Sequence, residues 1–323
     1  MIRDLYPSDI IALLFRKGPH LSNEAVSCIF EDSEKAACCA YAPFLRQWFV
    51  PNERRFSWVY KDGKNIHGLI SARERATSAS WEIDYLLLLK QEGLDHYLLQ
   101  EVSRALLETL TIHAGKRRVR KIFFRSRDSD TFLEIAQSSD FKVYLKEYLY
   151  HTENIKLKTE KDGDILKLLR DSGYIFRRRQ LDDEDALYEL IFRMQPATVK
   201  NVESINLRDW HDTREKGCLM EREIVLQKDG SIKGWFSVRK GISQGYFRVM
   251  AYTPERGNLE RIFLLAISIL KNKKNIYCIV RDYQDELRKM LKENGFEKKD
   301  EFAVAFKEIS ITEKRRMLAS QQA

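Results

Sequence analysis

Two carboxylates, Glu82 and Asp84, stand two residues apart in the stretch SWEIDYLLLL (Ser80 to Leu89). On a strand that spacing puts both on one face. A carboxylate held there can take the proton from a bound amine; the same face could equally pair with Arg73 or Arg75 and stay in solvent. A second kind of chemistry is written at Arg256-Gly257-Asn258. A cation, a glycine and a helix-capping residue at the start of an apolar helical pattern suit an anion such as phosphate, because the first N–H groups of a helix have no internal partner. The same three residues also make an ordinary turn. Basic side chains crowd the run from Lys116 to Arg127, and Arg177-Arg178-Arg179 adds three more. They read either as phosphate contacts or as a solvated helix end and strand edge.

The whole chain narrows the classes. It has 323 residues, enough for two domains, and a net charge of +8. That charge fits a solvated surface or a polyanionic ligand, a nucleotide or RNA. Five cysteines, an odd number with no C-x-x-C, and six histidines without metal-ligand spacing argue against a disulfide framework and against zinc. A reducing cytoplasm fits. The segment Met1 to Leu5 has no signal-peptide pattern. The apolar run Ile262 to Leu270 is too short to cross a bilayer. No Gly-x-Ser-x-Gly elbow or phosphate-binding Walker loop is present.

The elements that must position these residues occur twice, at Phe56 to Tyr150 and at Ile224 to Glu308. Each copy opens with a hairpin over Lys-Asp-Gly, at residues 61–63 and 228–230. Gly68-Leu69-Ile70-Ser71-Ala72-Arg73 then matches Gly234-Trp235-Phe236-Ser237-Val238-Arg239, and Ile122 to Asp128 matches Ile276 to Asp282. Repeats this long are duplicated domains, not solenoid units. Apolar residues at helical spacing (Leu98, Val102, Ala105, Leu106, Leu110) predict a long helix over 94–113, and Asn258 to Leu270 reads as its counterpart. Helices are also expected over 26–48 and over 165–169. The order of strands and helices predicts a mixed sheet with helices on both faces. The expected division is a first domain over 1–152, a linker over 153–173, a second domain over 174–310 and a frayed tail over 311–323.

Each copy ends in a short helix, then Asp140-Phe141 or Gly295-Phe296, then a strand. With the hairpins Asp62 to Gly68 and Asp229 to Gly234, this ending resembles the GCN5-related N-acetyltransferase (GNAT) superfamily in tandem. The resemblance implies an α/β (α+β) fold of two acetyltransferase-type domains, each a mixed, mainly antiparallel sheet flanked by helices. It implies acyl transfer from acetyl-CoA to the amine of a small molecule or protein, with no metal and no membrane. In such a fold the third strand of the hairpin region splays from its neighbour and pairs with the pantetheine arm, and the following loop and helix hold the pyrophosphate. Carried over to the second copy, that gives Met250, Tyr252, Arg256, Gly257 and Asn258 as cofactor-binding residues. In the first copy it gives Glu82 or Asp84 as the base.

The chain departs from the family pattern. The first copy's loop, Lys90-Gln91-Glu92-Gly93-Leu94-Asp95, brings two acids where phosphate would sit. The tyrosine expected before each Gly-Phe is replaced by Ala136 and Leu291, so a proton donor would come from elsewhere, for example Tyr144 or Tyr283. These departures also suit a catalytically silent scaffold or ligand sensor, and the basic runs suit a transferase or module that binds RNA. The second copy, with the less acidic loop, is the expected cofactor site.

Overall fold

The computed structural model describes residues 1–14, 20–23, 54–63, 65–89, 96–127, 131–153, 173–215, 221–251 and 256–309. The expected helices over 26–48 and 165–169, the loop 90–95, Tyr252, the tail over 311–323, and Cys28, Cys38, Cys39 and Cys218 lie outside them.

The chain forms two compact units. The first contains β1 (Ile2–Asp4), α1 (Pro7–Leu14), β2 (His20–Ser22), β3 (Arg55–Asp62), β4 (Asn65–Glu74), β5 (Ser80–Leu89), α2 (His96–Lys116), β6 (Lys121–Arg127) and α3 (Thr131–Ser138). Its strands run in the order β1-β3-β4-β5-β6, antiparallel except for the parallel pair β5–β6. Every residue of β5 is buried, as its leucine run demands. Val102, Leu106, Leu107 and Leu110 of α2 pack on Ile70, Trp81, Ile83 and Leu88 of the sheet.

The second unit repeats the plan. It takes β7 (Lys142–Glu153) from Leu145 on, β8 (Ile175–Arg178), α4 (Glu184–Met194), α5 (Ala197–Glu203) and the start of α6 (Leu207–Thr213). It continues with β9 (Glu221–Lys228), β10 (Ser231–Lys240), β11 (Gln244–Ala251), α7 (Arg256–Leu270), β12 (Asn275–Arg281) and α8 (Asp285–Glu293). Its strand order is β7-β12-β11-β10-β9-β8, with β11–β12 the parallel pair. Ile262, Phe263, Ala266 and Ile267 of α7 close the core over Phe236, Phe247 and Val249.

Three details show how deep the repeat runs. Arg3 holds Asp9 with two hydrogen bonds of 2.7 Å, and Arg177 holds Asp183 with bonds of 2.7 and 2.6 Å. In each unit this bidentate pair ties the first strand to the helical segment that follows it. In each hairpin the register slips one residue before the matched glycine, between Ile66 and Gly68 and between Ile232 and Gly234. Those glycines lie under the long helices: a Cβ would meet Val102 at 2.9 Å from Gly68 and Ile262 at 2.2 Å from Gly234. A side chain there would push helix from sheet. Finally, α3 and α8 end on left-handed residues, Asp140 at φ 67° and Gly295 at φ 78°. Aspartate thus fills a conformation that favours glycine.

Packing groups the chain differently from a cut at the sequence repeat. Residues 211–215 and 303–309 belong to the first unit, whereas β7 from Leu145 belongs to the second. The last strand, β13 (Glu297–Glu308), is therefore divided between the units after Phe302. Ala305 and Ile309 join the first unit's core, and the Ile309 amide donates to the Arg120 carbonyl at 2.9 Å.

Candidate active site

Both units contain a parallel strand pair that opens like a V. Strands β5 and β6 pair from Ser80↔Lys121 to Ile83↔Phe124, although β5 continues to Leu89. Strands β11 and β12 pair from Gln244↔Asn275 to Phe247↔Cys278, although β11 continues to Ala251. In the first unit the register between β4 and β5 also slips around Asp84, where the divergence begins. Past the last pair, each strand turns backbone N–H and C=O groups into the gap, where an extended chain can meet them.

The two gaps differ in what occupies them. In the first unit β2 runs antiparallel along Leu87 to Leu89. The next residue, Asn23, is fully buried. Its Oδ1 accepts from the Leu86 amide at 2.9 Å, its own amide donates to the Leu86 carbonyl at 3.2 Å, and its Nδ2 donates to the Arg125 carbonyl on β6 at 3.1 Å. In the second unit no strand among the described residues pairs with β11 on that side. One side chain reaches across: Gln284 Nε2 donates to the Val249 carbonyl at 2.8 Å, and its Oε1 accepts from the Arg281 amide at 2.9 Å. A residue's N–H and C=O point to the same side of a strand. The Val249 amide therefore faces the gap as well.

Of the residues expected to bind a cofactor, Met250 stands on the part of β11 that has left β12, and Arg256 to Asn258 open the helix that follows β11. Met250 is buried on β11, with its sulfur 3.3 Å from Gln284 Nε2. Helix α7 starts at Arg256, Gly257 lies in its first turn, and Asn258 is fully buried there. A Cβ on Gly257 would press on the Arg261 guanidinium at 2.6 Å. That guanidinium lies over the Tyr174 ring, 4.6 Å from its centre.

Glu82 and Asp84 sit in a buried charge network, not on a solvent face. Glu82 meets Arg73 at 3.1 Å, Arg125 at 3.1 Å and Arg75 at 3.8 Å. Arg125 and Arg75 also meet Glu215, at 2.5 and 3.9 Å, and Asp84 pairs with Arg55. Arg75 donates to the Thr213 carbonyl at 2.6 Å and lies over the Phe123 ring at 3.7 Å. Burial drives the Glu82 carboxyl up, but Arg73, Arg75 and Arg125 outweigh it and hold it below its ordinary range. For Asp84 burial wins over Arg55 and Arg73, and its pKa is raised. The pairing with Arg73 and Arg75 is present, but on a buried face. A carboxylate held by three guanidiniums is a weak proton acceptor.

Other candidates resolve in the same way. Tyr144 packs edge-on against Phe123 and Phe306. Tyr283, just past β12 and beside Gln284, accepts from Arg281 Nη1 at 3.2 Å, and burial holds its pKa up. Arg281 in turn forks onto Glu203 at 2.8 and 3.3 Å. Trp210 is core, packed with Leu187 and Val225. The basic runs are largely engaged within the fold. Arg117 covers Phe56, Arg120 pairs with Asp212, Arg125 joins the Glu82 network, and Arg179 holds Glu184 and Glu223. Among the described residues no group of three metal-ligating side chains is arranged around a common point. No described helix is long and apolar enough to cross a membrane.

Reading the sequence missed Asn23, Gln284 and Glu215. Gln284 alone carried a signal, since it stands just after the matched block that ends at Asp282.

No protein-family model matches this sequence. No curated protein matches it either. Solved structures do. A tandem GNAT protein from the clavulanic acid biosynthesis pathway is 13% identical over 96% of this chain and 98% of its own, with a TM-score of 0.53. A putative acetyltransferase from Pyrococcus horikoshii is 15% identical over 96% of this chain and 90% of its own, with a TM-score of 0.51. The chain has the tandem GNAT fold. At these identities the likeness carries the GNAT architecture alone, and the chemistry has to be argued from the two gaps.

Proposed function

We propose that this chain is an acyl-CoA-dependent N-acyltransferase, that its second unit binds the acyl-CoA, and that its first unit is structural. One observation carries the reading. Strand β11 leaves β12 after Phe247, and among the described residues the edge at Val249 and Ala251 is met by one side chain, Gln284. The corresponding edge of β5 is covered by β2 and Asn23.

The parts of the second unit suit acyl transfer. The Val249 amide would bind the pantetheine arm as another strand would, and the first turn of α7, with Gly257 and Asn258, would face the pyrophosphate. Acetyl-CoA, the simplest such donor, supplies an acyl group on a thioester. The amine nitrogen of a small molecule or protein bonds to that carbonyl carbon, and its proton leaves to a carboxylate or water. The C–S bond breaks, and the thiolate takes a proton. Tyr283, a phenol beside Gln284 and so protonated at neutral pH like any tyrosine, is the side chain at this gap that could give that proton.

Calorimetry with acetyl-CoA on the full chain tests the cofactor half of this reading. Val249→Pro removes one of the two amides, Val249 and Ala251, aimed into the gap while leaving the side that pairs with β10. Affinity should fall about tenfold or more, the loss of a hydrogen bond with its desolvated partner. No heat at millimolar acetyl-CoA with the wild-type chain would end the proposal. Once an acceptor amine is found, Tyr283→Phe should lower kcat by about 100-fold, a usual figure for general acid catalysis, with acetyl-CoA affinity unchanged. An unchanged kcat would remove Tyr283 from the mechanism.

A further inference from the structure

We propose that the first unit carries its own occupant. The segment His20 to Asn23 is an intramolecular ligand that takes the backbone groups an acyl-CoA arm would use on β5 and β6, and it closes this unit to the cofactor. The exclusion of cofactor rests on the acyl-CoA reading above; the occupancy does not.

The hydrogen bonds make the case. A pantetheine arm offers amide N–H and C=O groups along an extended chain. Strand β2 offers the same along Leu87 to Leu89. Asn23 adds a side-chain amide where the strands have parted. It accepts from Leu86 on β5 and donates to Arg125 on β6, so its donor and acceptor bridge both walls. The main chain of Asn23 completes the Leu86 pairing. Every polar group of Leu86 that faces the gap is thereby satisfied from within the chain. An arriving ligand amide would have to replace these bonds one for one, and would gain little from the exchange.

The surroundings point the same way. Asp84 lies at the mouth of the divergence, and Glu82 is locked among arginines, so neither is available to a reacting amine. Among the described residues Asn23 has no counterpart in the second unit. There the bridging amide comes from Gln284, on the loop after β12, and it holds β11 at one carbonyl only. Among the described residues, the duplicated fold thus fills one gap with a strand and bridges the other with the Gln284 side chain.

Amide hydrogen exchange on the full chain, with and without saturating acetyl-CoA, tests this. In the wild type the amides of Leu86 to Leu89 should exchange slowly, and acetyl-CoA should leave their rates unchanged while slowing Val249 and Ala251. The double variant Leu21→Pro/Asn23→Ala, which removes a strand N–H that faces β5 and the bridging amide, should speed exchange at Leu86 and Leu88 by about tenfold or more. Unprotected Leu86 to Leu89 amides in the wild type would overturn the proposal. So would rates there that slow on adding acetyl-CoA, or that stay unchanged in the variant. If acetyl-CoA protects neither unit while Leu86 to Leu89 remain slow, the acyl-CoA reading fails and the internal occupant stands. If the variant does not fold, the wild-type comparison alone decides.

Discussion

Glu82→Ala should destabilise the first unit by about 3–5 kcal/mol, the usual loss when one partner of a buried ion pair is removed. The variant leaves Arg73, Arg75 and Arg125 facing each other with Glu215 and Asp84 as the remaining counter-charges. For a unit of this size the midpoint of thermal unfolding should fall by roughly 6–20 °C. Glu82→Gln keeps the acceptor oxygen and should lose less. The pH dependence separates the two carboxylates. Glu82 is held below its ordinary range, so its contribution is present above that range and is lost as pH falls through the depressed pKa. Asp84 is raised, so its contribution has the opposite sign and is lost as pH rises through the folded value. Acid unfolding followed by circular dichroism should therefore be less steep in Glu82→Ala than in the wild type. A melting curve within about 2 °C of the wild type, the shift that roughly 1 kcal/mol would give in a unit of this size, would show that the network is not what holds this face together.

Ending the chain after Phe302 should have a still larger effect, and on the unit farther away in sequence. The deletion removes Ala305 and Ile309 from the first unit's core and the bond from Ile309 to Arg120. It also removes the buried Ala303 and Val304. Full burial of an aliphatic side chain is worth about 1.5–3 kcal/mol, and exposing the buried surface beneath adds to the loss. Against a total stability of roughly 5–15 kcal/mol, the first unit should unfold while the second remains. Limited proteolysis read by mass spectrometry would show cleavage within β3 to β6 and a surviving fragment from the second unit. A protected first unit in the truncated chain would mean that β13 is an accessory to it.

The duplication was legible because its signals are local. Hairpin turns, matched glycines and helical spacing at Val102, Leu106 and Leu110 each depend on neighbours in sequence, and the strands and long helices followed from them. The charge network was not legible. Glu82 meets Arg125 and, through it, Glu215, across separations that no spacing rule spans. The sequence offered only the nearby Arg73 and Arg75, and with them an exposed face. The gap in the first unit was hidden for a related reason. His-Leu-Ser-Asn is too short to show a period, and its role comes from pairing with residues more than sixty positions away.

The allotment of residues 303–309 to the first unit bears on how the protein is made. A ribosome delivers residues 1–144 well before residues 303–309, so the first unit lacks its final strand until those later residues have left the exit tunnel. Residues 211–215, which bring Glu215 to Arg125 and the Thr213 carbonyl to Arg75, also arrive late. The nascent first unit must wait, with buried arginines short of a counter-charge and an unclosed sheet edge, until those segments have emerged. Chaperone demand during synthesis should therefore fall on the half of the chain that emerges earliest.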